Sequence, residues 1–141
     1  MNPIAIKSAK QLAIFIENRP GSLARICDEI AKAEINIEAL ATEGGAFSRG
    51  SEEMLVRMVL SDSSKVLALL SDMGVVAVET DVLMIEGGNQ PGLLAKIADR
   101  LAKADVNIES VYVSASSDAA QCVIILRPSN LEQAMRVLRD V

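Results

Sequence analysis

The sequence predicts an α+β protein in which two similar modules, each with an antiparallel sheet, follow one another along 141 residues. Three observations lead to this prediction. A 21-residue stretch occurs twice, short apolar runs typical of β-strands surround each occurrence, and helical patterns alternate with those runs. The two copies are therefore expected to share one order of strands and helices.

The repeated stretch is the clearest of these signals. Residues 18–38 read NRPGSLARICDEIAKAEINIE, and residues 89–109 read NQPGLLAKIADRLAKADVNIE. Thirteen of the 21 aligned positions are identical, without a gap. We interpret the chain as a duplication with an N-terminal segment at 1–10, a first module at 11–80 and a second module at 81–141.

The elements of the first module follow from their patterns. The runs QLAIFIE, NIEALATE, EEMLVRMVL and VVAVETD predict four strands. Apolar residues recur at helical spacing from Leu23 to Ala33, and Pro20 suits the first turn of that helix. A second helix is predicted in SDSSKVLALLSDMG, ending at Gly74. The order β-α-β-β-α-β is the ferredoxin-like arrangement, with both helices on one face of the sheet.

The second module repeats this order but lacks its own last strand. DVLMIEG, VNIESVYVSAS and AAQCVIILR predict strands, with a tight turn near Ser117-Asp118. Helices are predicted from Pro91 to about Ala104 and in SNLEQAMRVLRDV. We expect the N-terminal run PIAIKS to be an added strand that fills the vacant position, in the same chain or in a partner. The alternative is a frayed tail beside a three-stranded sheet.

Several predicted strands are apolar on both faces, among them LAIFI, VVAV, VLMI and VIIL. A sheet with helices on one face and water on the other alternates apolar and polar residues instead. We therefore expect contact between modules to cover the second faces, and we predict a homodimer.

The composition argues against several classes of function. A net charge of −5 and a pI of about 4.8 oppose binding to nucleic acid or to an anionic membrane. The aromatic residues are Phe15, Phe47 and Tyr112, too few to stack on bases. No apolar run has the length of a transmembrane helix or of a signal peptide core, so we expect a cytoplasmic protein.

Catalysis and metal binding are not expected either. The sequence has no histidine, the commonest general base and metal ligand. Cys27 and Cys122 lack the spacing of a metal site and are interpreted as small buried hydrophobic residues in a reducing compartment. The acidic residues at Glu52-Glu53, Asp28 and Asp99 have no nucleophile or base near them in sequence. We predict no enzyme activity and no cofactor.

The loops Asn18–Gly21 and Asn89–Gly92 each lie between a predicted strand and a predicted helix. A helix N-terminus offers unpaired N–H groups and a partial positive charge, which suit a carboxylate. The glycines allow a ligand to approach the backbone closely. The asparagine side chains donate and accept hydrogen bonds, which suits the ammonium and carboxylate groups of an amino acid.

A purely structural interpretation of the same residues stays open. Pro-Gly starts a helix, Asn18 caps it, and Asn36 makes a turn after Ala33. On the binding interpretation, Asn36 and its counterpart Asn107 offer a further polar contact from the next strand.

The segments NRPGSLARI…INIE and NQPGLLAKI…VNIE resemble the signature of the ACT domain family. In that signature an Asp or Asn, a Pro-Gly and a Leu precede the first helix, and Asn-Ile opens the second strand. The resemblance covers both copies and nearly the whole chain. It implies small allosteric regulatory modules that bind amino acids and pair through their sheets or helices.

The resemblance also implies a ligand position, near the strand-to-helix loop and against the start of the second strand of an adjoining module. The matching residues of the first copy are Asn18, Pro20, Gly21, Ser22, Leu23, Asn36 and Ile37. Those of the second copy are Asn89, Pro91, Gly92, Leu93, Leu94, Asn107 and Ile108.

We therefore predict a non-catalytic regulatory protein that holds an amino acid near these loops at a module interface. The alternative is a regulatory subunit that docks on an amino-acid biosynthetic enzyme, because residues 12–38 also resemble the opening of the small subunits of acetolactate synthase.

The two copies are not equivalent. Ser22 is aligned with Leu93, and Arg19 with Gln90. The loop 43–51 of the first copy is long and contains glycine, which makes it a candidate lid with Phe47 or Arg49 at its tip. We expect one dominant binding site rather than one in each module.

Overall fold

The computed structural model describes residues 4–44, 52–115, 120–139 and 141. Six strands and four helices lie within these residues, and the α+β class is confirmed. In chain order they are β1 (Ala5–Glu17), α1 (Ser22–Lys32), β2 (Ile37–Glu43), β3 (Glu53–Leu60), α2 (Ser63–Asp72), β4 (Ala77–Gly88), α3 (Leu93–Lys103), β5 (Ile108–Ala115), β6 (Gln121–Pro128) and α4 (Leu131–Leu138).

The chain divides into two compact units, and both boundaries fall inside strands. One unit is formed by residues 10–80, and the other by residues 1–9 together with 81–141. The hydrogen-bonded strand order is β2-β3-β1-β4-β6-β5. The unit 10–80 therefore contains β2-β3-β1-β4, and the other unit contains β1-β4-β6-β5, because β1 and β4 each contribute residues to both units.

The two long strands correct a prediction made from the sequence. PIAIKS and QLAIFIE were expected as separate strands, but they form the single 13-residue strand β1. VVAVETD and DVLMIEG likewise merge into the 12-residue strand β4. Neither junction contains the Gly or Pro that ends a strand, so the backbone stays extended through the polar residues between the apolar runs. Residues 5–9 thus lie on a strand that neighbours β4.

Each unit has its own core between its helices and one face of its strands. In the unit 10–80, the largest fully buried side chains come from alternate strand positions and one face of each helix. These are Leu12, Ile14, Ile30, Met58 and Leu70. In the other unit the corresponding residues are Leu83, Ile85, Ile97, Leu101, Ile124 and Leu126. Ile4 and Ile6 of the N-terminal segment pack against this second core.

The second faces of the strands are covered unevenly. Val59, Val82, Met84 and Ile125 are buried although they belong to neither core. Phe15, Val76 and Val78, in contrast, remain 41%, 81% and 58% exposed. The expectation that these faces are covered is therefore met at the first four positions and not at the last three.

Three helices end in the same way, with the sixth residue donating its N–H back to the first. The bonds run from Ile35 to Ile30, from Val75 to Leu70 and from Val106 to Leu101. The residue before each donor has a positive φ, and only one of these three residues is the glycine predicted from the sequence. They are Glu34, Gly74 and Asp105.

Two smaller findings bear on the predictions from composition. Cys122 is buried in the core of its unit, whereas Cys27 is only half-buried. No helix in the described part of the chain is long and apolar enough to cross a membrane.

We predict that the N-terminal segment stabilises the unit formed with residues 81–141. Ile6→Ala should lower the free energy of unfolding by about 1–2 kcal/mol, below the range for a fully buried isoleucine, because Ile6 is half-buried against the core. Lys7→Ala, one residue along and exposed, is the matched control and should change little. Urea titration followed by circular dichroism measures both, and equal effects would contradict this role.

Candidate ligand-binding groove

Helices α1 and α3 begin at a glycine in the left-handed conformation. The N-cap residues are Gly21, with φ of 90°, and Gly92, with φ of 93°. Pro20 and Pro91 were predicted to lie in the first helical turn, and this prediction is wrong. Both prolines precede the N-cap, because the glycine conformation reverses the chain one residue later than expected.

The structure also shows why glycine is needed at these two positions. A Cβ added to Gly21 or Gly92 would meet no other atom within 4 Å. Space in front of the backbone is therefore open, and the requirement for glycine comes from the positive φ, which residues with a Cβ adopt at a cost.

Neither helix is capped by a side chain. α1 and α3 have no side-chain cap hydrogen bond and no acidic residue in the first turn. α2 and α4 are different, since Asp62 accepts from the Lys65 N–H and Asn130 accepts from the Gln133 N–H. The repeated loop thus leaves the positive end of its helix available for another anion.

Asn18 and Asn89 do not cap these helices. The Asn18 N–H donates to the carbonyl of Glu52 at 2.8 Å, and the Asn89 N–H donates to that of Ala120 at 3.0 Å. The side chain of Asn18 lies beside Gly44, where an added Cβ would be 3.1 Å from its Oδ1 and Nδ2 atoms. The Asn18 side chain is thus directed toward Gly44, directly after the last residue of β2, rather than toward the start of α1.

A groove of about 710 Å³ opens beside the start of α1, within the unit 10–80. This volume lies in the range of small-molecule sites, about 300–1,000 Å³. Three of the predicted residues line it, namely Pro20, Gly21 and Ser22. Its charged residues are Glu17, Arg19 and Arg25, and its apolar residues include Phe15, Ile16, Ile26, Met73, Val75, Val76 and Val78.

The charges of the groove are exposed at its polar end. Arg19 Nε lies 2.7 Å from Glu17 Oε2, and these side chains are 71% and 65% exposed. Within the described residues no ion pair involves Arg25, which extends from the first turn of α1. The amides of Leu23 and Ala24 likewise have no acceptor in this part of the chain. This end of the groove is therefore suited to a carboxylate.

The other predicted residues of the first copy lie elsewhere. Asn36 and Ile37 are at the start of β2, where Ile37 is opposite Leu60, whereas Glu17 at the end of β1 is opposite Glu53. The length of β3, about 23 Å at 3.3 Å per residue, separates these two ends. One unit therefore does not bring Asn36 to the groove beside α1. Leu23 packs against the first core instead of lining the groove.

Asn36 and Asn107 each take part in a reciprocal pair with a serine. The Asn36 N–H donates to Ser61 Oγ at 3.1 Å, and the Ser61 N–H donates to the Asn36 carbonyl at 3.0 Å. Asn107 and Ser129 make the same two bonds at 2.9 and 2.8 Å. Neither serine was among the residues predicted from the sequence, although each directly precedes the N-cap residue of the second helix of its copy.

The second copy presents its candidate residues differently. Pro91 and Gly92 are exposed, Leu94 is 39% exposed, and Leu93 is only 3% exposed. Ile108 packs against the second core. The predicted lid of the first copy, with Phe47 and Arg49, lies outside the described residues, apart from Glu43 and Gly44.

Two of the acidic residues considered for catalysis, Asp28 and Asp99, lie beside lysines. Lys32 lies 3.2 Å from both Asp28 and Glu29, and Lys103 lies 2.8 Å from Asp99. The hydrogen bonds that the Lys32 ammonium donates to Glu29 and Asp28 raise the pKa of Lys32. In the described ranges no group of three or more Cys, Asp or Glu side chains is placed to hold a metal ion.

A family model described as an ACT domain pair matches residues 7–140. Among solved structures, protein BT0572 from Bacteroides thetaiotaomicron is 33% identical, with a TM-score of 0.84 over 96% of this chain and 89% of the other. The regulatory subunit of aspartate kinase from Thermus thermophilus has a TM-score of 0.69 at 20% identity, over 99% and 96% of the two chains. At this identity, the second similarity shows a shared fold and no more.

An aspartokinase of Corynebacterium glutamicum is 24% identical over 94% of this chain and 33% of its own length. The aspartokinase of Corynebacterium efficiens is 23% identical over the same shares. The chain thus spans about a third of the length of these curated relatives.

We predict that position 21 requires glycine because its backbone has a positive φ. Gly21→Ala should lower the free energy of unfolding by about 1–2 kcal/mol, the cost of a left-handed residue that carries a Cβ. Gly21→Asn, which adopts this conformation more readily, should cost less although its side chain is larger. Chemical denaturation of both variants tests this, and a larger loss in the Asn variant would indicate steric exclusion instead.

Proposed function

The chain belongs to the family of ACT domain pairs, and on this basis we propose that it is a non-catalytic regulatory protein. We propose further that it binds an amino acid in the groove beside the start of α1. The observation that carries the proposal is the uncapped start of this helix, which faces an open groove that has both a charged end and an apolar wall.

The charged end suits the two groups that all amino acids share. The ligand carboxylate would accept hydrogen bonds from the uncapped N–H groups of Leu23 and Ala24, and the Arg25 guanidinium would supply a positive charge. The ligand ammonium would lie near Glu17, the carboxylate of the groove. Glu17 already pairs with Arg19, so binding would rearrange an exposed ion pair of small energetic value.

The apolar wall would receive the ligand side chain. Phe15, Ile26 and Val78 contribute to this wall from β1, α1 and β4. Burial of an aliphatic side chain against them would contribute favourably in proportion to the area removed from water. We therefore favour an amino acid with an apolar side chain over a charged one.

A homodimer would complete the site in this proposal. Phe15, Val76 and Val78 border the groove and expose apolar surface that a second chain would bury. A ligand that contacts both chains would favour the dimer by its difference in affinity for the two states, and this difference is the regulatory signal.

We propose that an amino-acid biosynthetic enzyme receives this signal. The curated relatives are aspartokinases, and the matched part is a third of their length. Aspartokinase is therefore a better candidate for the receiver than acetolactate synthase, which the sequence alone suggested. In an alternative form of the proposal the exposed apolar surface docks directly on such an enzyme without any small ligand.

The proposal predicts that an amino acid stabilises the folded protein. A ligand at a hundredfold excess over its dissociation constant should add about 2.7 kcal/mol to the free energy of unfolding. Thermal unfolding in the presence of each of the twenty amino acids measures this. Loss of a charge-assisted hydrogen bond in Arg25→Gln should weaken binding at least tenfold, about 1.4 kcal/mol.

Lys96→Gln, at the aligned position of the second copy, is the matched control and should leave the response unchanged. No shift with any amino acid would contradict ligand binding. Co-purification of a biosynthetic enzyme with the full chain would then support the docking alternative.

A further inference from the structure

We infer that only the first copy binds the amino acid, and that Leu93, Ile4 and Gln90 close the equivalent position in the second copy. The inference rests on the proposed function, since it concerns the same kind of ligand, but it is carried by a separate set of contacts. These contacts lie around Gly87 and Gly88 at the end of β4, in the unit that contains residues 1–9 and 81–141.

The closing side chains occupy the space above two glycines. A Cβ added to Gly87 would lie 2.9 Å from Leu93 Cδ2 and 3.0 Å from Ile4 Cγ2. A Cβ added to Gly88 would lie 2.8 Å from Gln90 Nε2. Both distances at Gly87 and the one at Gly88 are too short for an ordinary Cβ contact, so these side chains rest directly on the strand backbone.

The first copy differs at the positions aligned with Gly87, Gly88, Leu93 and Gln90. Gly87 and Gly88 are aligned with Ile16 and Glu17, so the first copy has side chains where the second has bare backbone. Leu93 is aligned with Ser22, a short polar residue that lines the open groove. Arg19, aligned with Gln90, pairs with Glu17 instead of folding onto the strand.

The consequences for a ligand follow directly. Leu93 is 3% exposed and belongs to the core of its unit, so its side chain fills the space beside Gly87 that a ligand would need, although the backbone at Gly92 is as open as at Gly21. Ile4 packs against the same core and lies over Gly87, so it blocks the neighbouring space. The start of α3 is as free of a side-chain cap as that of α1, but the second copy has no acidic residue aligned with Glu17 to receive the ligand ammonium.

Binding stoichiometry tests the inference on the full chain. Equilibrium dialysis with each of the twenty amino acids, radiolabelled, should give one molecule bound per wild-type chain. Ser22→Leu, which copies the closing residue into the first groove, should abolish this binding. Ala31→Leu, at an exposed residue farther along the same helix that does not line the groove, is the matched control and should still bind one molecule.

A second measurement tests the closure without a ligand. Gly87→Ala should lower the unfolding midpoint in the wild-type chain, because the added methyl group meets Leu93. The same change should lower the midpoint by less than half as much in a Leu93→Ser chain, where that side chain is absent. Leu94→Ser, at the exposed neighbouring position, should leave the effect of Gly87→Ala unchanged.

The outcomes separate the two proposals. Two molecules per wild-type chain, or one molecule retained in Ser22→Leu, would overturn the inference while the proposed function stands. No binding to any of these chains would contradict the proposed function. In that case the unfolding midpoints, measured without a ligand, still test whether Leu93 fills the space above Gly87. If Gly87→Ala lowers the midpoint equally in the wild-type chain and in the Leu93→Ser chain, this part of the inference is overturned.

Discussion

The positive φ of Gly21 is the constraint on which the candidate site depends. It sets the direction of the backbone at the last residue of the loop 18–21, which joins β1 to α1. Because the N-cap is a glycine, no side chain satisfies the first amides of the helix, and the open space in front of Gly21 leaves them accessible. The starts of α2 and α4 are different, because the side chains of Asp62 and Asn130 cap them.

The same constraint acts at Gly92, and the result is different because of the residues around it. A backbone turn sets where a helix begins, whereas side chains decide how much space stays open beside that point. Leu93 and Ile4 rest on Gly87 in one copy, and Ser22 leaves the groove open in the other. Duplication thus explains the conserved geometry of the two loops, and divergence at a few side chains explains why their chemistry is no longer the same.

Much of the fold could be predicted because its signals are local. The repeat, the helical spacing from Leu23 to Ala33 and the apolar runs each depend on neighbours in sequence. The continuity of β1 and β4 could not be predicted from the same runs, because polar residues in mid-strand resemble those of a turn. The positions of Asn36 and of Ser61 depend on strand register, which only the folded sheet reveals. Three predicted residues, from Pro20 to Ser22, line the groove, while the part of its apolar wall at Met73, Val75, Val76 and Val78 comes from a segment the motif does not contain.

The most direct test of the central claim is a nuclear magnetic resonance titration of the isotope-labelled chain with the amino acid that stabilises it most. Binding at the start of α1 predicts large, saturable shifts of the Leu23 and Ala24 amide resonances, because these N–H groups would acquire an acceptor. The Leu94 and Ala95 amides at the start of α3 should stay unchanged. Saturable shifts confined to residues outside the groove, or none at all, would contradict the account.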